Sequence, residues 1–435
     1  MGPILEAEAT DLADEPNTVF CKNPVAWLRQ KNLSEDFWIF FTVAFFFDFG
    51  FSVYVFLFNL YLLDFHFNER AIGLIGGAMT IGSVAGTLPA GFLACKFGIR
   101  PILTVCLITA PILGAARVLA MWEPAQIALA FLAGLSMCLW GVCFLPALAG
   151  LTTEKNRASA FSLIFSVSIG TSTLGGVICG YLPRWLRMAG FSLQPWEVKR
   201  LILLSSCGIA AAGLFAVLRL RFPPQEVAPA GENLTRGQGL RAFWRIDPFL
   251  LRFLPTMALW TAVLASFTPF ANVYLSRELH VPMLQIGLVF SVAQVIQFAV
   301  GLLTPVLFQK LGIVNGIVAT QLLTAFTLAC LAGTQRPQLA IALYLGFSAM
   351  QWMSAPGLYN LLMSRVAAGE RSTAAAMTMF CNAILGSAAT AGAGILFTAF
   401  GYPRVLAGIG AFAAFAAILF RLLVGSADRQ ASMQR

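Results

Sequence analysis

Two charged residues lie inside apolar runs of the chain and are the strongest candidates for chemistry. Asp48 lies in the middle of the run 45–51, which is otherwise phenylalanine and glycine, and Arg117 lies in the run 114–118. A charge at the centre of a membrane-spanning helix costs about 2.5–3.5 kcal/mol, so such a side chain usually faces a cavity or a partner. Asp48 could therefore exchange protons or bind a cationic group. The alternative is a hydrogen-bonded Asp that fixes helix packing.

Arg117 could bind an anionic group or pair with Asp48. A tight pair is disfavoured, because Asp48 lies nearer the inner half of its predicted span and Arg117 lies in the outer part of another. A third possibility is that the Arg117 guanidinium extends along its aliphatic stem to the outer interface.

Neutral polar and aromatic side chains within the apolar runs form a second candidate set. Its members are Asn59, Tyr61, Trp140, Trp260, Asn272, Tyr274, Gln294, Gln297, Gln351, Tyr359, Asn360 and Asn382. Any one of them could simply form hydrogen bonds between helices. As a set, they predict a cavity with amide and aromatic lining that suits an organic solute. A metal site would need clustered carboxylates or histidines, so we expect no metal and no cofactor.

The elements that position these residues are predicted to be membrane-spanning helices. Hydrophobic residues make up 59% of the 435 residues and charged residues 11%, whereas a soluble domain carries about 25% charged residues. An apolar stretch of roughly 20 residues crosses the hydrocarbon core as a helix. The chain has twelve such stretches, at residues 37–63, 70–94, 101–122, 125–149, 158–182, 200–220, 249–275, 283–309, 313–333, 337–363, 373–399 and 402–424.

The chain also repeats itself once, at an offset of 214 residues. The Ile-Gly-Leu of residues 72–74 returns at 286–288, and His66 returns as His280. Because the offset contains an even number of spans, the two halves run parallel, which predicts two pseudo-symmetric six-helix lobes with a site between them. The two histidines fall at the outer ends of spans one and seven, where they could sense pH or simply be solvated.

Both charged candidates lie in the first half of this repeat. One repeat later, Asp48 corresponds to Ala262 and Arg117 corresponds to Leu331. We therefore expect the charged chemistry to be concentrated in the N-terminal lobe, while the second lobe contributes neutral polar groups.

The distribution of basic residues predicts the orientation. Most of the 28 Lys and Arg residues lie in inner tails, loops and span ends if both termini are in the cytoplasm, which is the positive-inside pattern. The net charge of +9 therefore reflects topology and does not predict nucleic-acid binding. Residues 23–37 are predicted to form an amphipathic lead-in helix. The predicted division is a cytoplasmic tail at 1–36, an N-terminal lobe at 37–220, a cytoplasmic linker at 221–248, a C-terminal lobe at 249–424 and a cytoplasmic tail at 425–435.

The segment directly after span two, residues 91–100, reads Gly-Phe-Leu-Ala-Cys-Lys-Phe-Gly-Ile-Arg. It resembles the loop signature of the major facilitator superfamily, Gly-x-Leu-Ala-Asp-Arg-x-Gly-Arg-Lys/Arg, except that Cys95 stands in place of the Asp. The basic turns before spans five and eleven are also similar to those of the family, and the resemblance extends over residues 37–425. The residues of this predicted cytoplasmic gate motif are Gly91, Lys96, Gly98, Arg100, Arg157 and Arg371.

The resemblance implies an all-α membrane protein with twelve transmembrane helices that performs secondary transport by alternating access. It also implies that the gate motif locks the two lobes together in the outward-facing state. Without the Asp, that lock is weaker or runs through Glu154 or Glu370. The alternative is that Lys96 and Arg100 only fix the topology. We expect the two glycines of the motif to allow close backbone approach and a tight turn.

Two departures from the family argue against a standard drug antiporter. Drug/proton antiporters of the family carry a Gly-Pro-rich signature in span five, whereas residues 170–180 here keep the glycines and have no proline. Span four also lacks the buried Arg of those antiporters.

We therefore expect a monomeric secondary transporter that moves a small organic or amphiphilic solute. A proton gradient sensed by Asp48 is the expected driving force, and the apolar, aromatic cavity gives a slight preference for export. The alternatives are a lipid or lysolipid translocator, a uniporter or importer of an organic solute, and a non-transporting sensor or scaffold. An enzyme is not expected, since no nucleophile–base pair lies within a span. The expected partners are the lipid bilayer of a bacterial inner (plasma) membrane and a small-molecule substrate, without nucleic acid.

Overall fold

The computed structural model describes residues 33–190, 194–221, 248–366 and 371–433, and in these ranges it contains twelve long helices. The helices of the first half are α1 (Glu35–Asp64), α2 (Glu69–Phe97), α3 (Ile99–Leu119), α4 (Glu123–Gly150), α5 (Glu154–Met188) and α6 (Pro195–Val217). Those of the second half are α7 (Pro248–Phe267), α8 (Met283–Leu311), α9 (Ile313–Gly333), α10 (Pro337–Arg365), α11 (Arg371–Phe400) and α12 (Tyr402–Met433). The expected all-α fold of twelve helices is confirmed.

Eleven of these helices are long and apolar enough to cross a membrane. The exception is α10, whose apolar surface is interrupted by polar side chains such as Gln351, Ser354 and Asn360. α10 is 29 residues long and packs against α8 and α9, so it belongs to the same bundle as the other helices of its half.

Most helix boundaries lie within a few residues of the predicted spans. α6 begins at Pro195 instead of residue 200, and α12 continues to Met433, beyond the predicted end at residue 424. Most of the predicted lead-in helix at 23–37 and of the linker at 221–248 lies outside the described residues.

The 214-residue repeat is reproduced in the backbone. α2 and α8 begin and end 214 residues apart, and so do α3 and α9. Gly98 and Gly312, which separate these pairs of helices, have positive φ angles of 85° and 78°. His66 and His280 are the non-glycine residues with positive φ in the described chain, at 60° and 51°. We call the side of the molecule that carries the two histidines the His66 face, and the opposite side, with the two glycines, the Gly98 face.

Local caps explain where the first helices begin and end. The Ser34 hydroxyl accepts the Phe37 N–H at 3.2 Å at the start of α1, and a serine is among the preferred N-cap residues. At the end of α1, the Phe67 N–H bonds to the Leu62 carbonyl oxygen. Such a six-residue closure places the residue before it in the left-handed conformation, and that residue is His66.

Each half of the chain folds into one lobe. In the N-terminal lobe α2 packs on α4, and α1 packs on α5 and α6; in the C-terminal lobe α7 packs on α11, and α9 packs on α12. The lobes meet where α2 contacts α11 and where α5 contacts α8. Glycines bring the backbones together at both contacts, since a Cβ on Gly73 would lie 2.7 Å from the Thr390 carbonyl oxygen and one on Gly176 would lie 2.8 Å from that of Gly287.

Candidate functional site

A cavity of about 740 Å³ lies between the two lobes. Its wall is formed by α1 to α6, by residues 268–272 and by α8. Most of the lining is apolar, and it includes the aromatic rings of Phe47, Phe58, Trp140 and Phe290. Small-molecule sites are commonly about 300–1,000 Å³ in volume and mostly apolar with a few polar groups, so this cavity is suited to a small organic molecule.

The cavity brings together part of the predicted site. The predicted residues that line it are Asp48, Asn59, Arg117, Trp140, Asn272 and Gln294. Asp48 is the acidic residue of this lining and Arg117 is the basic one. Both charged groups belong to the N-terminal lobe, as the repeat predicts.

The other predicted residues do not line this cavity and mostly join helices. Trp260 donates its indole N–H to the Ser354 hydroxyl at 3.0 Å, and the Gln297 amide donates to the Ser348 hydroxyl. Gln351 accepts from Thr268. Tyr61 bonds to the Val118 carbonyl oxygen, and the ring of Tyr274 packs against those of Phe267 and Tyr402. Tyr359 and Asn360 are exposed on α10, and Asn382 is partly buried on α11.

Asp48 faces the cavity from α1 and is held by a neighbour on α5. The Ser168 hydroxyl donates to the Asp48 carboxylate at 2.5 Å, and both residues line the cavity. Asp48 is partly exposed there, so a proton or a polar group of a ligand can reach it. Ser168 was not among the predicted site residues, because a serine within an apolar span gives no signal of its own.

Arg117 is held in place by hydrogen bonds from two tyrosines of α1 to the backbone of α3. The Tyr54 hydroxyl donates to the Gly114 carbonyl oxygen at 3.1 Å, and the Tyr61 hydroxyl donates to that of Val118 at 3.0 Å. The Gln126 amide bonds to the Arg117 carbonyl oxygen at the end of α3. These contacts fix the backbone on both sides of Arg117, and so they fix where its side chain begins.

The Arg117 guanidinium is buried without a carboxylate. The residue is 4% exposed, and its guanidinium carbon lies 4.3 Å from the centroid of the Phe58 ring. Its Nη1 atom lies 3.9 Å from the Met79 sulfur, and its Nε atom has no hydrogen-bond partner among the described residues. A desolvated cation–π contact contributes about 2 kcal/mol. Arg117 also lies in the last turn of α3, where the helix dipole favours a cation.

Asp48 and Arg117 lie at opposite ends of the cavity. Arg117 contacts Phe58, which follows Asp48 by ten residues in the same helix, and ten residues of α-helix rise about 15 Å. The two charges are therefore too far apart for an ion pair, and the Arg117 side chain turns into the cavity instead of toward the outer interface.

The seventh span is interrupted where it meets the cavity. α7 ends at Phe267, and residues 268–278, here called the α7 extension, form 3-10, α and π turns. Pro269 has no N–H group and its ring clashes with the preceding turn, which favours a break in the helix at this point. The Ala265 carbonyl oxygen that loses its usual donor accepts the Thr390 hydroxyl at 3.0 Å. The sequence prediction treated this span as continuous.

Two asparagines join the lobes at this interruption. The Asn59 amide donates to the Pro269 carbonyl oxygen at 2.8 Å, and the Asn272 amide donates to that of Phe56 at 2.9 Å. The Asn272 side-chain oxygen accepts the Val273 N–H, which in a regular helix would bond to the Pro269 carbonyl. Each lobe therefore donates one amide to the backbone of the other.

An ion pair that was not predicted joins the lobes near the His66 face. Arg277 of the α7 extension lies 3.0 and 2.9 Å from the two carboxylate oxygens of Glu69 in α2, and the Tyr402 hydroxyl lies 3.5 Å from the same carboxylate. Glu69 is buried, with 5% exposure. Because Glu69 follows Asn68, which caps α2 through the Ala71 N–H, it looks in sequence like an ordinary acid at a helix start.

The cross-lobe contacts described above close the cavity on the His66 face, and none of them lies on the Gly98 face. The two asparagine contacts and the Glu69–Arg277 ion pair all lie between the His66 face and the middle of the helices. On the opposite face, no neighbouring atom lies within 4 Å of where a Cβ on Gly91 or Gly98 would stand. Gly98 makes the expected tight turn, but the expected close backbone approach at Gly91 is absent in this conformation.

The gate motif lies on the open face. The Arg100 guanidinium donates to the Leu218 carbonyl oxygen at the end of α6, which is a favourable place for a cation. Lys96 is exposed, with its ammonium group 5.2 Å from the Phe97 ring centroid. The predicted lock between the lobes stays a prediction, because the side chains of its other members lie outside the described part of the chain: Arg157, Arg371, Glu154 and Glu370.

Two parallel lobes of six helices around a central cavity define a membrane transporter. The chain belongs to the Major Facilitator Superfamily, whose family model matches residues 40–391, and the family resemblance read from residues 91–100 is therefore confirmed. The family is a class of transporters, so this chain is an integral membrane transport protein. No curated protein matches the chain.

Solved structures with the same fold include three transporters. The nucleoside transporter NupG superposes with a TM-score of 0.74 at 14% identity, covering 90% of this chain and 99% of its own. The xylose transporter XylE from E. coli, in an inward open conformation, superposes with a TM-score of 0.70 at 16% identity, covering 89% and 95%. A bacterial homologue of the human lysosomal transporter Spinster, inward-facing and unoccupied, gives 0.72 at 14% identity, covering 90% and 98%. At these identities the likeness is one of fold.

Proposed function

We propose that the chain is a secondary active transporter that moves a small organic or amphiphilic solute by alternating access, coupled to protons at Asp48. One observation carries the proposal: the described contacts between the lobes close the central cavity on one face and not on the other, and the cavity has a carboxylate in its wall. Such an arrangement suits a carrier that exposes one site to the two sides in turn.

The contacts near the His66 face supply the closed gate of this state. Opening that face requires the α2–α11 and α5–α8 contacts to separate and the Glu69–Arg277 pair to break. The gate motif on the Gly98 face would then come between the lobes. With both termini in the cytoplasm, as the distribution of Lys and Arg favours, the Gly98 face is cytoplasmic and the described conformation is inward-open.

Asp48 couples the cycle to protons in this proposal. An ionised carboxylate only accepts hydrogen bonds, whereas a protonated carboxyl group can also donate one. Ser168 donates to Asp48, so protonation changes what Asp48 can offer to Ser168 and to a solute in the cavity. Proton and solute binding therefore compete or cooperate at one wall of the cavity.

The proposed transporter acts as a monomer in a bacterial inner membrane, with both termini in the cytoplasm. It needs no cofactor or metal beyond the proton gradient, and its partners are the bilayer and the solute. Export is slightly preferred over import because the cavity wall is apolar and aromatic. Import of an organic solute is the alternative direction, and uniport and lysolipid translocation are outcomes that the test below separates.

The test measures proton release or uptake when solutes bind to the purified, detergent-solubilised protein in weakly buffered solution. The probes are uridine, xylose, ethidium, decanoate and lysophosphatidylcholine. We expect at least one probe to change the proton balance of the wild type, and we expect Asp48→Asn to abolish that change while the probe still binds. The matched control is Asp64→Asn, which changes an acid of the same helix that pairs with Lys199 outside the cavity.

The two variants decide between coupling mechanisms. If Asp48→Asn and Asp64→Asn both behave like the wild type, Asp48 is not the coupling group. If probes bind without any change in proton balance, proton coupling fails, and uniport or sodium coupling takes its place. Flux of lysophosphatidylcholine alone, in proteoliposomes, would favour the lipid translocator.

A further inference from the structure

We infer that Arg117 binds the anionic group of the substrate, and that the substrate is an amphiphilic organic anion with one carboxylate or phosphate joined to an apolar body. This inference rests on the proposed transport through the same cavity. It adds the chemical class of the solute, which the fold alone does not give.

The first argument is the absence of a built-in partner for Arg117. Two acids near the same face of the molecule form ion pairs with other residues: Glu69 pairs with Arg277 and Asp64 pairs with Lys199. Arg117 is 4% exposed and lines the cavity, and its Nε atom has no hydrogen-bond partner in the described chain. A buried charge is normally paired and hydrogen-bonded. The missing anion is therefore expected to come from the ligand.

The second argument is that Arg117 is positioned as a receptor. Tyr54 and Tyr61 fasten α3 to α1 on either side of it, and Gln126 occupies its backbone carbonyl. The Phe58 ring supports one face of the guanidinium. A guanidinium offers N–H donors in a fixed fork that matches the two oxygens of a carboxylate or phosphate. Since the Arg117 side chain is buried, with 4% exposure, such bonds are stronger there than at the surface.

The third argument is the shape and chemistry of the space next to Arg117. About 15 Å separates the level of Arg117 from that of Asp48 along α1, and this stretch is lined by rings that include Phe51, Phe58 and Trp140. An anionic group at Arg117 would direct an apolar body along these rings toward the open Gly98 face. A bare inorganic anion would leave that wall without a contact, and a cation would be repelled by Arg117.

The test measures binding to the full chain in phosphatidylcholine nanodiscs. Tritium-labelled decanoate is displaced by decyl phosphate, by decanol, by decyltrimethylammonium and by chloride, with empty nanodiscs subtracted for partition into lipid. We expect the two anionic amphiphiles to bind at least about tenfold more tightly than decanol, as a charge-assisted hydrogen bond gives. Comparing the binding of lysophosphatidate with that of decyl phosphate then shows whether the anionic group belongs to a lipid or to a smaller amphiphile.

Variants of Arg117 assign the preference to this residue. We expect Arg117→Gln to bring the affinity for decanoate down to that for decanol, with decanol itself unchanged, and Arg117→Lys to keep part of the preference. A wild type that binds decanol as tightly as decanoate overturns the inference without any variant. It is also overturned if the preference survives in Arg117→Gln, or if chloride displaces decanoate at equal concentration.

The outcome is separable from that of the proposed function. Anion preference depends on Arg117, whereas proton release depends on Asp48. If decanoate shows the preference but no proton is exchanged, the coupling proposal fails and this inference stands. If uridine or ethidium exchanges protons through Asp48 while anions show no preference, only this inference fails.

Discussion

Gly394 in α11 lies against the backbone of the other lobe at the closed face, with no room for a larger side chain. A Cβ added there would lie 3.0 Å from the Gly73 Cα in α2 and would overlap the Glu69 carbonyl oxygen. Both neighbours are backbone atoms of the other lobe, so neither can turn away as a side chain would. We predict that Gly394→Ala shifts the conformational equilibrium away from the state in which the His66 face is closed.

The size of the shift follows from the overlap. Non-bonded carbon atoms rest at about 3.5–4.0 Å, so the α2 and α11 backbones would have to separate by 0.5–1 Å. Overpacking of this kind costs about 1–3 kcal/mol. Because the contact exists only while the lobes meet at this face, the cost falls on the closed state alone. The ratio of closed to open molecules should therefore fall by roughly 5- to 150-fold.

The assay is a distance measurement between spin labels on the His66 face. Glu123 begins α4 in the N-terminal lobe, and Arg336 directly precedes α10 in the C-terminal lobe. Both residues are exposed. Labels at cysteines introduced there, in a background without the nine native cysteines, should give a longer distance in Gly394→Ala than in the wild type. The matched control is Gly392→Ala, two residues away in α11, where a Cβ would meet no atom within 4 Å.

The control separates the contact from helix propensity. Replacing glycine by alanine in a helix stabilises that helix by about 1 kcal/mol whatever the conformation, and both variants receive this gain. If Gly394→Ala and Gly392→Ala give the same distance distribution as the wild type, the backbone contact between α2 and α11 does not hold the face closed. An equal shift in both variants would refute the reasoning as well.

Three further predictions concern single contacts. Glu69→Gln should destabilise the closed His66 face by about 1–2 kcal/mol, which lowers the ratio of closed to open molecules roughly 5- to 30-fold. The loss is moderate because Glu69 is buried but Arg277 is half-exposed and screened by solvent. Unchanged spin-label distances would contradict this prediction. His66→Gly should raise the free energy of unfolding by up to about 1 kcal/mol, because glycine adopts a positive φ without steric cost; a lower Tm would mean that the imidazole makes a stabilising contact. Trp260→Phe should lower that free energy by about 1–3 kcal/mol by leaving the buried Ser354 hydroxyl without its donor, and most of the loss should be recovered in the double variant Trp260→Phe, Ser354→Ala.

Much of the fold could be predicted from the sequence because its signals are local. An apolar run of the right length marks a membrane span, and the repeat places the same turn at Gly98 and Gly312. Asp48 and Arg117 were predictable as cavity residues for a related reason, since a charge within a span has few other places to go.

The cross-lobe partners could not be predicted in this way. Glu69 and Arg277 lie 208 positions apart, and nothing in either local segment indicates that they meet. The interruption of the seventh span had a visible signal in Pro269, but a proline within a span can also leave only a kink. The orientation of neutral residues such as Tyr359 and Asn360 could not be predicted, because a single polar residue does not show which face of its helix turns to the cavity.

The position of the two charges limits how protons and substrate can be coupled. Asp48 and Arg117 both belong to the N-terminal lobe, so their separation stays nearly constant when the lobes move as rigid bodies, and no direct pair between them can form or break during the cycle. A ligand shifts such an equilibrium only through contacts that differ between the two states. In the described chain the cross-lobe amides Asn59 and Asn272 lie in the cavity wall and make such contacts. Asn59 bonds to the α7 extension, and Asn272 belongs to it. We therefore expect this extension to transmit the binding of a ligand at the N-terminal wall to the second lobe.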